Sequence, residues 1–573
     1  MRILMLALVA AAGCSNPNPD ACCTTADQCL MYGLGGITDC DSSRVCNMNG
    51  NCVVPMCKVD TDCNDASMVC DMYGQCVPGN AARYTLTVQI AGSGGGTITS
   101  TPPGITCTTG TCTGTFDAGT EVQLAQSATT GSFLGWAYGC RGTDTCSVTL
   151  SSDQRVGALF GVAGEGLWTK QVTAGGNDSG NDLVSTVDGD LIAVGSYAGT
   201  LDLDSFTLMS GDDTVSNSYV AKLDGWTGKA IWAKSFPLGA AARVGLDPDG
   251  QMYVVGTFSG TADLGGGQVL NSAGGTDVYV LKLSQTGDLV WSYSLGGSDD
   301  ERAFRIAVAA GVVVIVIGTS TYSTIVAINA VAGTPKWAKP VPPGTAFGLG
   351  IDTSNILVSG SFSTAYDFGS GTVTPIGTSD AFVARYVIAT GALAAVNHDG
   401  AASQSQFAFG VAKDVAGNTI VSGKIFGSAI NQLYVTKQLV GGSTAWNETL
   451  AVSMPTGNGA IPLLAFSETG DVVIAGTFCG TVTIGVDHAG PFCSAQAPRF
   501  GSFISTLRNG TGDPLASTIL VPDARVFGIS KASTDGRSFA TGEFSSSVTF
   551  PTQILVVAPA VGKFDSFVMA SAP

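Results

Sequence analysis

LDGWTGKAIWAKSF, residues 223–236, contains two of the seven tryptophans of this 573-residue chain, together with a Thr-Gly turn and an alternating apolar run. Weaker copies follow as LSQTGDLVWSYSL from Leu283 and INAVAGTPKWAKPV from Ile328. Aligned on the tryptophan, seven copies start at Trp168, Trp232, Trp291, Trp337, Val396, Trp446 and Ala516. Their spacing runs from 46 residues (Trp291 to Trp337) to 70 residues (Trp446 to Ala516). Residues 162–573 are therefore a repeat array.

Two further columns recur seven times. One is a glycine in contexts such as VGTFSGT, at Gly195, Gly256, Gly318, Gly360, Gly423, Gly476 and Gly542. The other is an alternating strand that begins as YVAKL (219–223) and ends as FVMAS (567–571). A glycine in every copy predicts a place where backbones approach too closely for a Cβ atom. The tryptophans are predicted to pack between neighbouring sheets, where their large area is buried.

A unit of this length with about four short strands predicts one blade of a β-propeller. Turns such as DPDG (247–250) separate alternating runs, as hairpins require. The first copy lacks a YVAKL-type strand before Trp168, and the last copy ends with that strand, so the chain end is expected to complete the blade that the chain start opens. That closure removes free sheet edges. The prediction is a seven-bladed β-propeller over 162–573.

The repeat phrases resemble two propeller families. The Asp, Thr-Gly and Trp of LDGWTGKAIW are similar to the pyrroloquinoline-quinone-type repeat. The residue pattern of DVYVLKLSQTGDLVWSYSLGGSDDERA more closely resembles the bacterial seven-bladed β-propeller repeat of secreted proteins. We favour this second resemblance because the chain has seven copies of the repeat. The quinone-type resemblance would imply a cofactor pocket with a vicinal disulfide, but the adjacent pair Cys22-Cys23 precedes the array. No cofactor is expected.

Composition narrows the class of protein. The chain has 26 basic and 44 acidic residues, a net charge of -18, which repels nucleic acid and anionic lipid headgroups. Only six of the acidic residues are Glu, whereas Asp and the 77 Gly favour turns. These features predict an all-β chain that does not bind nucleic acid.

The first residues predict export. MRILMLALVAAAG (1–13) has one basic residue and an apolar run too short to span a bilayer, which is typical of a removable signal segment. Ala11-Ala12-Gly13-Cys14 resembles the lipobox of bacterial lipoproteins, which implies that Cys14 carries acyl chains that anchor the protein in a membrane. Ser15 then favours the outer membrane, and residues 14–21 form a tether. The alternative is ordinary secretion with a free Cys14.

Sixteen other cysteines predict complete disulfide pairing in an exported chain. Ten lie in residues 22–79 and resemble the small cysteine-rich modules of secreted proteins; the segment lacks the C-x2-C spacing of zinc sites, so no metal is expected. The remaining six are predicted to form local pairs: Cys107 with Cys112, Cys140 with Cys146, and Cys479 with Cys493.

Residues 84–161 have a different sequence pattern, which predicts short strands in stretches such as GTFDAGTEVQLAQSA and GSFLGWAYGC. Their order resembles the divergent internalin-type B-repeat, a small β-grasp-like module of bacterial surface proteins. The resemblance implies a spacer or adhesion element without catalytic residues. Trp136 lies in an alternating apolar strand and is predicted to be a core residue.

Candidate chemistry is sparse. His398 and His488 are too few for most imidazole sites, and each has a neighbouring Asp (Asp399, Asp487) with which it could pair. The acidic stretches GGNDSGND (175–182), GSDDE (297–301) and DPDGQ (247–251) lack the ligand spacing of a calcium loop. The first two follow the tryptophan at corresponding places, so they are predicted to line one face of the propeller as a functional rim.

Together these patterns predict an all-β protein, with a seven-bladed β-propeller preceded by a small disulfide-rich module and a small β-grasp-like repeat domain. We expect a monomeric, non-enzymatic lipoprotein of the outer membrane or cell surface that contacts the membrane through the lipid on Cys14 and binds a protein or glycan. One alternative is a periplasm-facing scaffold for outer-membrane assembly. Another is a glycan lyase or hydrolase that uses carboxylates of the propeller face.

Overall fold

A computed structural model describes residues 82–572 and four short strands before them. The gaps are residues 175, 212, 310, 320, 343–345, 353, 428–430, 441, 454–462, 467–470, 479–480, 485–486, 490–492, 495–496, 499–500, 521–523, 532–535, 545–547, 550–553 and 556–563. The chain divides into two compact units. One comprises Met1–Gln89, Thr97–Gln126 and Thr145–Val156, and the other comprises Ile90–Gly96, Ser127–Asp144 and Gly157–Pro573.

The four early strands form two small hairpins. Val45–Cys46 pairs with Cys52–Val53, and Met68–Cys70 pairs with Cys76–Pro78. The register sets Cys46 opposite Cys52 and Cys70 opposite Cys76, and the latter two cysteines are both disulfide-bonded. Cys14 and most of the predicted module at 22–79 lie outside the described residues.

Residues 83–161 form two four-stranded sheets. One has the order Ser132–Tyr138, Gln154–Gly161, Arg83–Ala91, Thr111–Asp117, and the other has the order Cys146–Thr149, Glu121–Thr130, Gly95–Thr101, Thr106–Cys107. A disulfide joins Cys107 to Cys112, with the Cα atoms 5.7 Å apart. Cys140 and Cys146 are both disulfide-bonded, as the predicted pair requires. Trp136 is fully buried, and its Nε1 donates to the carbonyl of Asp144 at 2.6 Å.

From residue 166 onward, the described residues form seven main sheets, which we call blades 1 to 7, each with four antiparallel strands from innermost to outermost. Blade 1 is Ser179–Ser185, Leu191–Ala198, Ser216–Leu223, Ala230–Phe236; blade 2 is Ala241–Leu246, Met252–Asp263, Val269–Leu283, Leu289–Leu295; blade 3 is Arg302–Ala309, Val312–Gly318, Ser323–Asn329, Pro335–Val341. Blade 4 is Ala346–Ile351, Asn355–Phe362, Asp380–Val387, Leu393–Asp399; blade 5 is Ser405–Lys413, Thr419–Phe426, Asn431–Gln438, Thr444–Ser453. Blade 6 is Leu463–Phe466, Val472–Phe478, Gly501–Leu507, Pro514–Leu520; blade 7 is Ala524–Lys531, Ser538–Phe544, Asp565–Ser571, Gly166–Val172.

Short hairpins follow the second strand of several blades. They are Thr200–Leu203 with Phe206–Met209, Tyr366–Asp367 with Thr372–Val373, Thr481–Ile484 with Asp487–Ala489, Cys493–Ser494 with Ala497–Pro498, and Val548–Thr549 with Ile554–Leu555. Thr481–Ile484 of blade 6 also pairs with Thr444–Ser453 of blade 5, which covers that outer edge. The predicted pair Cys479 and Cys493 falls outside the described residues because Cys479 lies in a gap.

The ring closes as the repeat pattern predicted. The innermost strands of successive blades contact one another in order, and that of blade 7 contacts that of blade 1. Gly166–Val172 provides the outermost strand of blade 7, with Lys170 opposite Val568 near the chain end. The prediction of an all-β propeller fold is confirmed. The structure describes no helix long and apolar enough to cross a membrane.

The second strand of blade 3 is apolar without alternation. Val312–Gly318, with the sequence VVVIVIG, is buried along its whole length. Neighbouring blades cover both faces of this strand, so every side chain needs to be apolar. This explains the most apolar stretch of the chain as a buried strand.

Tryptophans connect five of the seven blades to the next one. The indoles of Trp168, Trp232, Trp291, Trp337 and Trp446 lie against the turn glycines Gly228, Gly287, Gly333, Gly391 and Gly512 of the following blade, where a Cβ atom would come within 2.6 to 2.9 Å of the ring. All five glycines have φ between +67° and +81°, a conformation that glycine adopts without strain. The Nε1 atoms of Trp168, Trp291, Trp337 and Trp446 donate to carbonyls of that same blade at 2.8 to 3.3 Å. The repeated Thr-Gly and Trp are thus two halves of one contact.

The recurring glycines of the second strands face recurring aromatic residues of the third strands. The second-strand glycines Gly195, Gly256, Gly360, Gly423, Gly476 and Gly542 are directly opposite Tyr219, Tyr279, Phe382, Tyr434, Phe503 and Phe567 of the third strand. Gly318 does not take the predicted place in this column: it is opposite Ser323, and Ile317 lies where the glycine lies in the other blades, just before the bulge of the innermost strand. A Cβ atom at Gly195 would lie 2.6 Å from the Tyr219 ring and would overlap the carbonyl of Ser179 on the innermost strand. Only glycine leaves room for both neighbours.

One alignment within the tryptophan column was wrong. In blades 1, 2 and 5 the tryptophan lies opposite a lysine of the third strand, for example Trp291 opposite Lys282. In blade 4 the residue opposite Arg385 is Ala395, not Val396. The small side chain removed the sequence signal that marks the register.

Candidate functional site

Two kinds of loop lie at the same end of the blades: those that lead from one blade to the next, and those between the second and third strands. We call this end the groove face. It carries two adjoining cavities, of about 910 Å³ and about 550 Å³. Both are lined by Asp300 and Arg302, which belong to the connection between blades 2 and 3. The two cavities therefore form one open groove.

Hydrogen bonds hold the loop that carries these residues. Glu301 is buried, and its carboxylate accepts from the backbone N–H of Gly297 at 3.2 Å and from the hydroxyl of Tyr322. Asp300 Oδ1 accepts from the backbone N–H of Thr276 at 2.7 Å, which links the loop to the neighbouring hairpin of blade 2. The loop thus presents its exposed side chains from a fixed backbone.

Arg302 is a positively charged residue of the groove that is free to contact a ligand. It begins the innermost strand of blade 3 and is exposed. With the residues that the structure describes, it makes neither a hydrogen bond nor an ion pair within 4.0 Å. The hydroxyls of Thr319 and Thr321 hydrogen-bond to each other at 2.9 Å on the wall of the larger cavity. A guanidinium, carboxylates and hydroxyls in one open groove suit a polar ligand.

The three acidic stretches separate between the two ends of the blades. GSDDE (297–301) lies in the groove, and GGNDSGND (175–182) contributes Asn181 to the smaller cavity. DPDGQ (247–251) is a turn between the first two strands of blade 2, at the opposite end, where Asp247 accepts from the N–H groups of Asp249 and Gln251 and from the hydroxyl of Tyr253. Among the described residues, no three His, Cys, Asp or Glu side chains gather closely enough to hold a metal ion.

His398 pairs with a partner that sequence adjacency did not indicate. Its Nδ1 lies 2.8 Å from Oδ2 of Asp380, at the start of the third strand of blade 4, rather than pairing with Asp399. Burial raises the pKa of Asp380, but hydrogen bonds from the backbone of Gly377 and Ile376 and from His398 outweigh it, so the pKa is lowered. Within the described residues, no hydroxyl or thiol hydrogen-bonds to this imidazole. His488 lies in the strand Asp487–Ala489.

Sequence reasoning overlooked the arginines beside the acidic stretches. Arg302 follows GSDDE directly, and Arg243 lies in both the smaller cavity and the channel between the innermost strands. The available signal was the position of arginine at the start of the innermost strand, as in DDERAFRIAV. The tryptophan column and most of the glycine column, by contrast, lie between strands and blades, where they maintain packing, whereas Gly318 lines the larger cavity.

No family model and no curated protein matches this chain. Among solved structures it is similar to "Kuenenia stuttgartiensis Hydrazine Synthase", with 12% identity and a TM-score of 0.40 over 68% of this chain and 98% of that chain. It is also similar to quinohemoprotein alcohol dehydrogenase ADHIIG from Pseudomonas putida HK5, with 12% identity and a TM-score of 0.34 over 70% of this chain and 76% of that chain. The Myceliophteria thermophila Cps50 (Swd1) beta-propeller domain matches with 8% identity and a TM-score of 0.38 over 71% and 100% of the two chains. We draw no functional argument from likeness at this level; the propeller fold follows from the strand order and ring closure of the chain itself.

Proposed function

We propose that this protein is a binding protein, anchored by a lipid on Cys14, whose groove face recognises a protein or a glycan without chemical turnover. The observation that carries the proposal is the groove around Asp300 and Arg302. It is open and polar, and Arg302 extends from a backbone fixed by Glu301 without a partner of its own among the described residues. Arginine at such a position donates to carboxylates, carbonyls and sugar hydroxyls alike.

The groove is tested by binding of the full chain to a glycan array and to a panel of purified cell-surface proteins. For a ligand found in this way, Arg302→Ala is expected to weaken binding at least tenfold, because an arginine at the centre of an interface commonly contributes more than 1 kcal/mol. Lys336→Ala is the matched control, since Lys336 is an exposed cation on the outermost strand of blade 3. Equal affinity of the wild type and Arg302→Ala for every ligand would place binding elsewhere.

The lipid anchor and the cellular location are tested by separate measurements. Labelled palmitate is expected to be incorporated into the wild-type protein and not into Cys14→Ser. If neither protein is labelled, the proposed lipid anchor is wrong. Protease treatment of intact cells separates surface display from a periplasm-facing assembly scaffold, because only the displayed protein is cleaved. Both proposals rest on the sequence at residues 1–15.

We also propose that the protein does not chemically convert its ligand. This proposal is supported by the pairing of His398 with a buried Asp380 and by the lack of a nucleophile hydrogen-bonded to that imidazole in the described part of the chain. Glycans retained by the wild-type chain are expected to be recovered intact by mass spectrometry. Shortened or unsaturated products that disappear in Asp300→Asn would instead support a lyase or hydrolase that uses the carboxylates of the groove.

A further inference from the structure

The innermost strands share an irregularity that places one residue per blade in a common position. In six blades this strand has a β-bulge at the same point of its pairing with the second strand. The residue after the bulge is charged in blades 1, 2 and 3, as Asp182, Arg243 and Arg305. It is glycine in blades 4, 5 and 7, as Gly348, Gly410 and Gly528. The charged side chains therefore occupy one side of the channel that the innermost strands surround.

A cavity of about 140 Å³ lies in this channel. Its lining includes Asp182, Arg243 and Arg305, with Phe409 and Ile529 among its apolar walls. Since a water molecule occupies about 30 Å³ in the liquid, the cavity has room for roughly four or five waters or for one small organic anion. A folded chain segment does not fit there.

The charges in the cavity do not cancel. Arg243 Nη1 donates to the carbonyls of Asn181 at 3.0 Å and Ala242 at 2.6 Å, and Arg305 Nη1 donates to the carbonyl of Phe304 at 2.8 Å. Asp182 Oδ2 accepts from the backbone N–H of Val244 at 3.1 Å. Among the described residues, none of the three makes an ion pair within 4.0 Å. Two guanidinium groups and one carboxylate, all half-buried, leave an excess of one positive charge, and partial burial makes such an excess unfavourable without a counter-charge.

Burial affects the pKa of both Arg305 and Asp182, and repulsion between the two arginines affects the pKa of Arg305. Burial and the nearby charge of Arg243 lower the pKa of Arg305 to about 9. Burial likewise raises the pKa of Asp182, in spite of the two arginines beside it. A bound anion would relieve the repulsion between the arginines, because it would lie in the low-dielectric space that both line.

We propose that Arg243 and Arg305 bind the carboxylate of a small monoanion in this channel. A monoanion neutralises the net charge, whereas a dianion such as phosphate would reverse it beside Asp182. The planar guanidinium fork also matches the two oxygens of a carboxylate. The site shares Arg243 with the smaller cavity of the groove face, but the proposal does not depend on what the groove binds.

The test uses acetate labelled with ¹³C at its carboxyl carbon and the purified full chain. We expect the carboxyl resonance to broaden in a saturable way with the wild-type protein and to sharpen again when unlabelled formate is added. Sodium phosphate and sodium chloride at the same ionic strength should displace acetate much less. No saturable broadening, or equal displacement by formate, phosphate and chloride, overturns the proposal, since the latter indicates general screening rather than a carboxylate site.

Variants assign the site. Arg305→Gln is expected to reduce the affinity for acetate at least tenfold, and Lys336→Gln, at an exposed cation on the outermost strand of blade 3, should leave it unchanged. Unchanged broadening with a folded Arg305→Gln overturns the assignment. If Arg305→Gln does not fold, the melting temperature of the wild type decides: a saturable rise with acetate beyond that with chloride supports the site, and equal rises overturn it.

Discussion

The indole of Trp446 in blade 5 lies against Gly512 in blade 6, where a Cβ atom would come within 2.7 Å of the ring carbon Cε3. Its Nε1 donates to the carbonyl of Asn509 in the same turn at 2.8 Å. Trp446 is 8% exposed, so most of its large apolar surface is removed from water by the next blade. Since the contact recurs at five of the seven junctions between blades, these five junctions share one chemical design.

Loss of this contact should weaken the whole propeller. Trp446→Ala is expected to lower the free energy of unfolding by about 3 to 5 kcal/mol, because it removes a buried aromatic side chain and leaves a cavity. Urea unfolding followed by fluorescence measures the change. Leu515→Ala, at a side chain that is 41% exposed, is the control and should cost under about 0.5 kcal/mol. Similar losses for the two variants would mean that the indole does not hold the blades together.

The glycine column should not tolerate even a methyl group. At Gly423 a Cβ atom would overlap the carbonyl of Phe407 and the ring of Tyr434, so both strands would have to move. Gly423→Ala is expected to cost about 1 to 3 kcal/mol through overpacking. Gly510→Ala is the matched control, because no atom lies within 4 Å of its added Cβ. Differential scanning calorimetry checks this; a melting temperature that falls equally in both variants would contradict the crowding argument.

An ion pair between blades should make stability depend on acid. Lys413 Nζ lies 2.9 Å from Oδ2 of Asp352. Burial opposes ionisation of Asp352, but hydrogen bonds from Lys413 and from the N–H groups of Ser354 and Asn355 outweigh it and lower the pKa to about 2. Because the folded-state pKa lies below the unfolded value of about 3.9, this carboxylate stabilises the fold above pH 4 by about 2 kcal/mol, and the contribution is lost as the pH falls towards 2.

The difference between wild type and Asp352→Asn isolates that contribution, since all other groups titrate in both proteins. Urea midpoints are expected to differ most at pH 7 and to converge near pH 2. Asp299→Asn, at an exposed residue of the groove, should follow the wild type throughout. A gap between wild type and Asp352→Asn that stays constant from pH 7 to pH 2 would show that the carboxylate charge is not what stabilises this junction.

A buried arginine stabilises the blade that joins the two chain ends. Arg537 is 0% exposed, donates to the carbonyls of Gly225 and Gly189, and lies 5.0 Å from the ring centroid of Trp226. Arg537→Lys keeps the charge but loses the planar contact and the paired donors, so it is expected to cost about 2 kcal/mol. Arg508→Lys, in an exposed turn of blade 6, should be neutral. Calorimetry measures both; a neutral Arg537→Lys would show that any cation suffices at this position.

The repeats in the sequence determined the class of fold, the number of copies and the closure of the ring, because each blade is built from local hairpins whose strands alternate within a short stretch of chain. The columns of Trp and Gly were visible for the same reason: most copies meet the same kind of neighbour in the same geometry, whereas Gly318 is opposite Ser323 and blades 4 and 6 lack the tryptophan. The tertiary structure alone decided which polar residues meet. Asp182, Arg243 and Arg305 belong to three successive blades and come together only when the innermost strands of these blades pack side by side around the channel. Likewise His398 reaches Asp380 across two paired strands, whereas its sequence neighbour Asp399 points to the other side, because successive side chains of a strand alternate between its faces.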